Sequence, residues 1–287
     1  MSRKKHRCSE PGMSVRLPCM SVTAVRVLTL AEQPTTAARE LWRVVHADPA
    51  MAVALLSAAS RRSSTARDPC DSVRVAIERL GVRDALQVCL DFRLPERRAT
   101  NGVDLVQHWR YALLTSAYAR AIARRLRRAD CDLIQTAATL RNLACLMPEA
   151  GAAMDCGACD RWLGKQRISS RIRALVRTSA GSDACLPTEC VPTACLRLAA
   201  RMAEVWLRPD WETTLTQTRR LAQRLFGALP DLCAADLCTW VFGVFGPQAR
   251  DLEALLQIRV PAPRQTAELY RRAHLMRHSG LCSEPCR

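Results

Sequence analysis

Asp48-Pro49-Ala50-Met51-Ala52-Val53-Ala54-Leu55-Leu56-Ser57-Ala58-Ala59-Ser60, followed after a short polar loop by Asp71-Ser72-Val73-Arg74-Val75-Ala76-Ile77-Glu78-Arg79-Leu80-Gly81-Val82-Arg83-Asp84, reads as two consecutive short helices. Asp48 can cap the first with its carboxylate, and Pro49 takes the first helical position, where its missing N–H costs nothing. Asp71 or Ser72 can cap the second, and Leu80-Gly81 supplies a glycine stop. Between these signals Met51, Leu55 and Leu56, then Val73, Ala76, Ile77 and Leu80, recur at three- and four-residue spacing. Each helix therefore carries one buried stripe, and the two are built to pack on each other. No residue pair within them points to chemistry.

This layout, with Leu17-Pro18 upstream, resembles the HDOD domain, an all-helical, non-catalytic relative of the HD phosphohydrolases found in bacterial signalling proteins. The family pattern is a Leu-Pro start, an Asp-Pro-Ala-Leu helix ending in small residues, and a Ser-Val-x-x-Ala-Ile-x-x-Leu-Gly helix. Here these read Leu17-Pro18, Asp48-Pro49-Ala50-Met51 and Ser72 through Gly81, with Ala59-Ser60 near the place of the usual Asn-Ser. The resemblance covers Leu17 to about Trp206. It implies an all-α, multi-helix HDOD- and HD-like bundle over residues 14–207, after a basic tail, 1–13. A smaller helical extension, 208–260, and a connector-like helix and tail, 261–287, follow.

The 287 residues can bury a sizeable core. Few aromatics and glycines, against many alanines, leucines and arginines, favour helix. No apolar run approaches the length that spans a bilayer, so no membrane partner is expected. The basic start, Met1 to Arg7, has no apolar core behind it and is no secretory signal. Met13 is a second candidate start, and a cytoplasmic protein is the simple reading. The formal charge of +16 comes almost wholly from arginine. Fifteen cysteines in a chain neither small nor exported read as reduced, mostly buried hydrophobes, including Cys89, Cys131, Cys145, Cys195, Cys233 and Cys238.

Along the chain, the periodicity predicts a first helix over Val22 to Ala31. Thr35 or Thr36 can cap a second, with Ala38, Leu41, Trp42 and Val45 inward. A fifth runs from Arg83 to about Arg93, followed by a polar loop over 94–103. The longest spans Asp104 to about Ala129, with Trp109, Leu113 and Ile122 facing in. Further helices are expected over Cys131 to Met147, Ile168 to Ser179, and about Thr193 to Leu207, with 148–165 irregular. Beyond Pro209, helices are read from Asp210 to Phe226, Asp231 to Phe245, Pro247 to Ile258 and Gln265 to His278.

A metal-dependent phosphohydrolase of the HD type holds its ion with imidazoles and carboxylates. The family's Gly-Leu-Leu-His-Asp-Ile-Gly segment here reads Ala138-Thr139-Leu140-Arg141-Asn142-Leu143-Ala144. Arginine stands in place of the ligand histidine, and a guanidinium cannot ligate a metal. Asparagine replaces the aspartate, Tyr111 after Trp109 stands where an earlier histidine ligand belongs, and residues 150–180 hold no histidine. No catalytic residue, metal or cofactor is therefore expected. Tyr111, Arg141 and Asn142 could serve as donors to a ligand in the degenerate pocket, or simply be a repacked core.

The resemblance implies a regulator or scaffold acting by protein or ligand binding. The expected partner is a signalling protein, such as a cyclic-dinucleotide enzyme or a response regulator. Asp251 through Pro261 resembles the connector that precedes a diguanylate cyclase domain in some relatives. One alternative is a nucleic-acid-binding regulator, with Arg120, Arg124, Arg125, Arg127 and Arg128 as a polyanion patch sharing a face with the Arg167 to Arg177 helix. A solvated helix end accounts for the same residues. A residual phosphohydrolase is the other alternative.

Three smaller signals remain. Cys156-Gly157-Ala158-Cys159 needs a second pair, Cys185 and Cys190, to hold zinc. His274, His278, Cys282 and Cys286 at four-residue spacing form either a zinc site or a polar tail. His46, beside Asp48, reads as a capping or surface residue, with no nucleophile to serve.

Overall fold

The computed structural model describes residues 17–33, 35–62, 70–92, 105–147, 156–180 and 190–226. The described residues form eleven α-helices and one 3-10 turn. These are α1 (Ser21–Glu32), α2 (Ala38–Val45), α3 (Pro49–Arg62), α4 (Val73–Leu80), α5 (Val82–Leu90), α6 (Leu105–Arg125), α7 (Cys131–Leu140), α8 (Cys156–Lys165), α9 (Ser170–Ser179), α10 (Val191–Leu207) and α11 (Trp211–Phe226). The all-α bundle expected from the sequence is what the chain forms.

The opening stretch folds as its caps dictate. Asp48 is fully buried, and its Oδ1 accepts from the backbone N–H groups of Ala50 at 2.9 Å and Met51 at 3.3 Å. Its Oδ2 accepts from Met20 N–H at 2.7 Å, which ties the segment before α1 to the start of α3. One carboxylate thus serves a helix N-terminus and a second chain segment together. Ser72, not Asp71, caps α4, its Oγ accepting from Val75 N–H at 3.1 Å. Asp71 instead pairs with Arg171 of α9 at 2.5 Å. Gly81, at φ 79°, closes α4 and opens α5, a turn that a side chain would strain.

α3 packs on α4, α5 and α7, and burial of Met51, Leu55 and Leu56 against them is what holds the first five helices together. The second half is centred on α6 against α7 and α10. There Tyr118 is buried, and its hydroxyl accepts from Trp206 Nε1 at 2.5 Å. α11 packs on α10 and adds Leu215 and Ala222 to the same core.

Four expectations are corrected. Thr36 does not cap α2: its hydroxyl donates to Leu30 O at 2.6 Å, and Ala37 precedes the helix. α6 ends at Arg125, not near Ala129. Arg127 turns left-handed at φ 50°, with Arg127 N–H bonded to Arg124 O and Arg128 N–H to Ala123 O, each at 2.9 Å. This is a Schellman closure with arginine in the usual glycine position. The expected helix from Cys131 to Met147 breaks at Leu140, where Arg141 and Asn142 turn into a 3-10 segment, Leu143–Leu146.

Within the stretch expected to be irregular, Cys156 to Lys165 is helical. Cys159 and Leu163 share its buried face, and Gly164 sits where an added Cβ would meet Arg173 Nη1 at 3.0 Å. The glycine that argued against a helix is there to admit a neighbour's guanidinium. Residues 1–13, Cys185, the helices read beyond Phe226, the connector-like Asp251 to Pro261, and His274, His278, Cys282 and Cys286 lie outside the described residues.

Candidate functional site

The face of the bundle that holds Tyr111, Arg141 and Asn142 is built from α6, α7 and α9. Arg141, just past the end of α7, donates from Nη1 to Tyr111 Oη at 2.7 Å and from Nη2 to Ser179 O at 3.1 Å. A second arginine, Arg197 of α10, donates to the neighbouring carbonyl, Thr178 O, at 3.1 Å. Two guanidiniums therefore sit on the last carbonyls of α9, where cations suit the helix dipole. Arg197 is only 6% exposed. Burial raises the Tyr111 pKa, with Arg141 pulling the other way, so Tyr111 keeps its proton at neutral pH. The buried Arg141 Nε meets no hydrogen-bond partner.

Asn142 enters by its backbone. Its carbonyl lies 3.3 Å from His108 Nε2, and its φ of −104° starts the 3-10 turn. His108 was missed in the sequence reading. It lies three residues before Tyr111 on α6, so helical spacing puts both on one face, and that was the signal available. Arg141, by contrast, carries a fixed positive charge, which cannot ligate a metal ion. Among the described residues no three His, Cys, Asp or Glu side chains cluster in a way that could hold a metal ion. Arg141 links α6, α7 and α9 here, and its contacts are those of a structural tie.

The arginines near the end of α6 divide into two kinds. Arg120 is mostly buried, donating to Asp132 Oδ1 at 2.7 Å and Gln135 Oε1 at 2.5 Å. Its guanidinium carbon also sits 4.6 Å from the centroid of a Trp42 ring, and that indole stacks on His46 at 4.6 Å and 13°. Arg120 thereby joins α2, α6 and α7 and is committed to the fold. His46 belongs to the same stack. It closes α2 as a half-buried cap, with Nδ1 2.8 Å from Trp42 O. Arg124, Arg125, Arg127 and Arg128 are exposed, and Arg128 forms a two-pronged bond to Asp130 at 3.1 and 3.2 Å. Along α9, Arg171 pairs with Asp71, while Arg173 and Arg177 reach Asp160 at 3.3 and 3.8 Å. Much of the charge that looks free in the sequence is paired in the fold.

The buried thiols of Cys19, Cys89 and Cys195 are unactivated. Burial pushes Cys19 and Cys195 up to about 12 and Cys89 upward as well. Cys159 is buried, and Cys190 is exposed beside Thr193 Oγ1 at 3.1 Å.

With this geometry in hand, comparison with known proteins gives a consistent result. The HDOD domain family matches residues 17–210. The MmoQ response regulator of Methylococcus capsulatus strain Bath superposes with a TM-score of 0.56 at 20% identity, over 71% of this chain and 91% of that one. A second structure of MmoQ gives 0.59 at 19% identity, over 71% and 92%. A virulence factor of Campylobacter jejuni gives 0.53 at 15% identity, over 76% and 91%. At these identities the likeness is one of fold. A search of curated proteins gives no match.

Proposed function

The chain belongs to the HDOD family, and from that premise we propose that it is a non-catalytic regulator or scaffold of signal transduction, acting by binding and not by turnover. One observation carries this reading. By the motif resemblance Arg141 stands where the HD enzymes carry a ligand histidine, and its guanidinium donates to Tyr111 Oη and Ser179 O. A cation held there by two hydrogen bonds disfavours any divalent ion, and without an ion the HD chemistry has no activated water. The binding partner of this reading is a signalling protein, either a response regulator or an enzyme of cyclic-dinucleotide metabolism. The response-regulator label of the MmoQ structures and the connector-like sequence of Asp251 through Pro261 support that class.

Capture of the tagged full chain from nuclease-treated lysate of its host tests this reading. Enrichment of a signalling protein that survives the nuclease is the expected result. A catch that disappears with nuclease favours the second reading, nucleic-acid binding, for which the exposed Arg124, Arg125 and Arg127 speak. In that case affinity for duplex DNA falls steeply with salt, and reversing those three charges removes it.

A further inference from the structure

A cavity of about 310 Å³ opens between the segment before α1, α3, the end of α5 and α8, and neither Tyr111 nor Arg141 lines it. Its inner lining is apolar and buried, with Cys19, Met51 and Cys89 among the lining residues. Phe92 and Trp162 supply aromatic walls from opposite halves of the fold. At the same opening stand Arg61, the second-last residue of α3, and Asp91. Arg61 gives one N–H to Ser57 Oγ at 2.8 Å, and its guanidinium carries five in all.

Ligand pockets start at roughly this size, about 300 Å³, and combine apolar walls with a few polar groups that fix orientation. The space suits one ring and a short chain, and is too small for a helix. The chemistry narrows the ligand further. A carboxylate is the planar partner that a guanidinium fork receives best. Arg61 is the one cation among the lining residues, so a single negative charge fits better than a phosphate monoester. The floor thiols stay protonated and offer no nucleophile, so binding is reversible.

We propose that this cavity binds a small amphipathic monoanion, an aryl or short-chain carboxylate whose apolar body fills the cleft and whose carboxylate meets Arg61. Because α3 and α5 form one side and α8 the other, such a ligand bridges the two halves of the fold. This inference stands apart from the proposed partner and does not depend on it.

Calorimetric titration of the full chain with 4-phenylbutyrate and with its neutral amide tests the proposal. The acid is expected to bind saturably, one per chain, about tenfold more tightly than the amide. Arg61→Met should bring the two affinities together, and Ala54→Phe, which fills the cleft, should weaken both by at least about tenfold. Absence of saturable binding overturns the proposal. So does an acid preference that survives Arg61→Met, or undiminished binding to a folded Ala54→Phe variant. If Ala54→Phe does not fold, the comparison of acid and amide in Arg61→Met decides alone, because Arg61 is exposed and its loss leaves the core intact.

Discussion

Asp48 and His46 stand at the junction of α2 and α3 and titrate in opposite senses, and Asp48→Asn separates them. Burial pushes the Asp48 carboxyl from 3.8 up to about 6, against the pull of the Met20, Met51 and Ala50 N–H groups. Burial takes the His46 imidazole from 6.5 down to about 4, against the pull of the Trp42 carbonyl. Between about pH 4 and pH 6 the folded chain thus holds a proton on Asp48 that the unfolded chain has released. Over the same range it lacks a proton on His46 that the unfolded chain has bound. The Asp48 contribution is fully present below 3.8 and is lost as pH rises through about 6. The His46 contribution is present above 6.5 and is lost as pH falls through about 4. Each amounts to up to about 3 kcal/mol, at about 1.4 kcal/mol per pH unit, so in the parent protein the two nearly cancel.

Asn at position 48 keeps an acceptor for the start of α3 but turns an amide toward Met20 N–H. The resulting unpaired buried donor costs about 1–3 kcal/mol at neutral pH. The variant's stability should then rise with pH, by about 1.4 kcal/mol per unit relative to the parent, between about pH 4.5 and pH 6. His46→Gln should show the mirror slope, falling over the same interval. Urea unfolding followed by far-ultraviolet circular dichroism across that range gives the free energies directly. A pH profile of Asp48→Asn that runs parallel to the parent's would refute the reasoning.

Further expectations follow from single contacts. Arg127→Gly relieves a left-handed arginine at φ 50° and should raise stability by about 1 kcal/mol, seen as a higher urea midpoint at unchanged slope; Arg167→Gly, at φ 59°, should behave alike. Arg141→Met removes the tie to Tyr111 and Ser179 and should cost about 1–3 kcal/mol in the same assay, while metal content stays unchanged. Tyr118→Phe removes the hydrogen bond from Trp206 Nε1 and should destabilise the α6–α10 contact, by about 1 kcal/mol. In each case an unchanged midpoint contradicts the assigned contact.

The capping signals around Asp48, Pro49, Ser72 and Gly81 were legible because they act within one turn of the chain. What they could not reveal was that Asp48 Oδ2 also reaches Met20, 28 residues away in sequence. Glycine was misleading in α8, since Gly164 answers to a tertiary neighbour, Arg173, and not to a local turn. The ends of α6 and α8 were missed for a related reason. Arginine occupies the left-handed position at Arg127 and Arg167, where sequence patterns look for glycine. At the candidate site, the departures of Arg141, Asn142 and Tyr111 from the HD motif were visible as residue types. The partners of Arg141 and the burial of Arg120 against Trp42 were not, because they depend on which helices meet. Charge counts alone overstated the free basic surface, since Asp71, Asp132 and Asp160 pair with arginines far from them in sequence.

The central claim, binding without metal-dependent turnover, is most directly tested by equilibrium dialysis of the purified full chain against manganese and iron(II). The dialysed protein is then assayed for hydrolysis of bis(4-nitrophenyl) phosphate. The account predicts no stoichiometric metal and no hydrolysis above a metal-only control. One tightly held ion per chain, with phosphodiester cleavage that rises with metal loading and is lost with chelator, would contradict it.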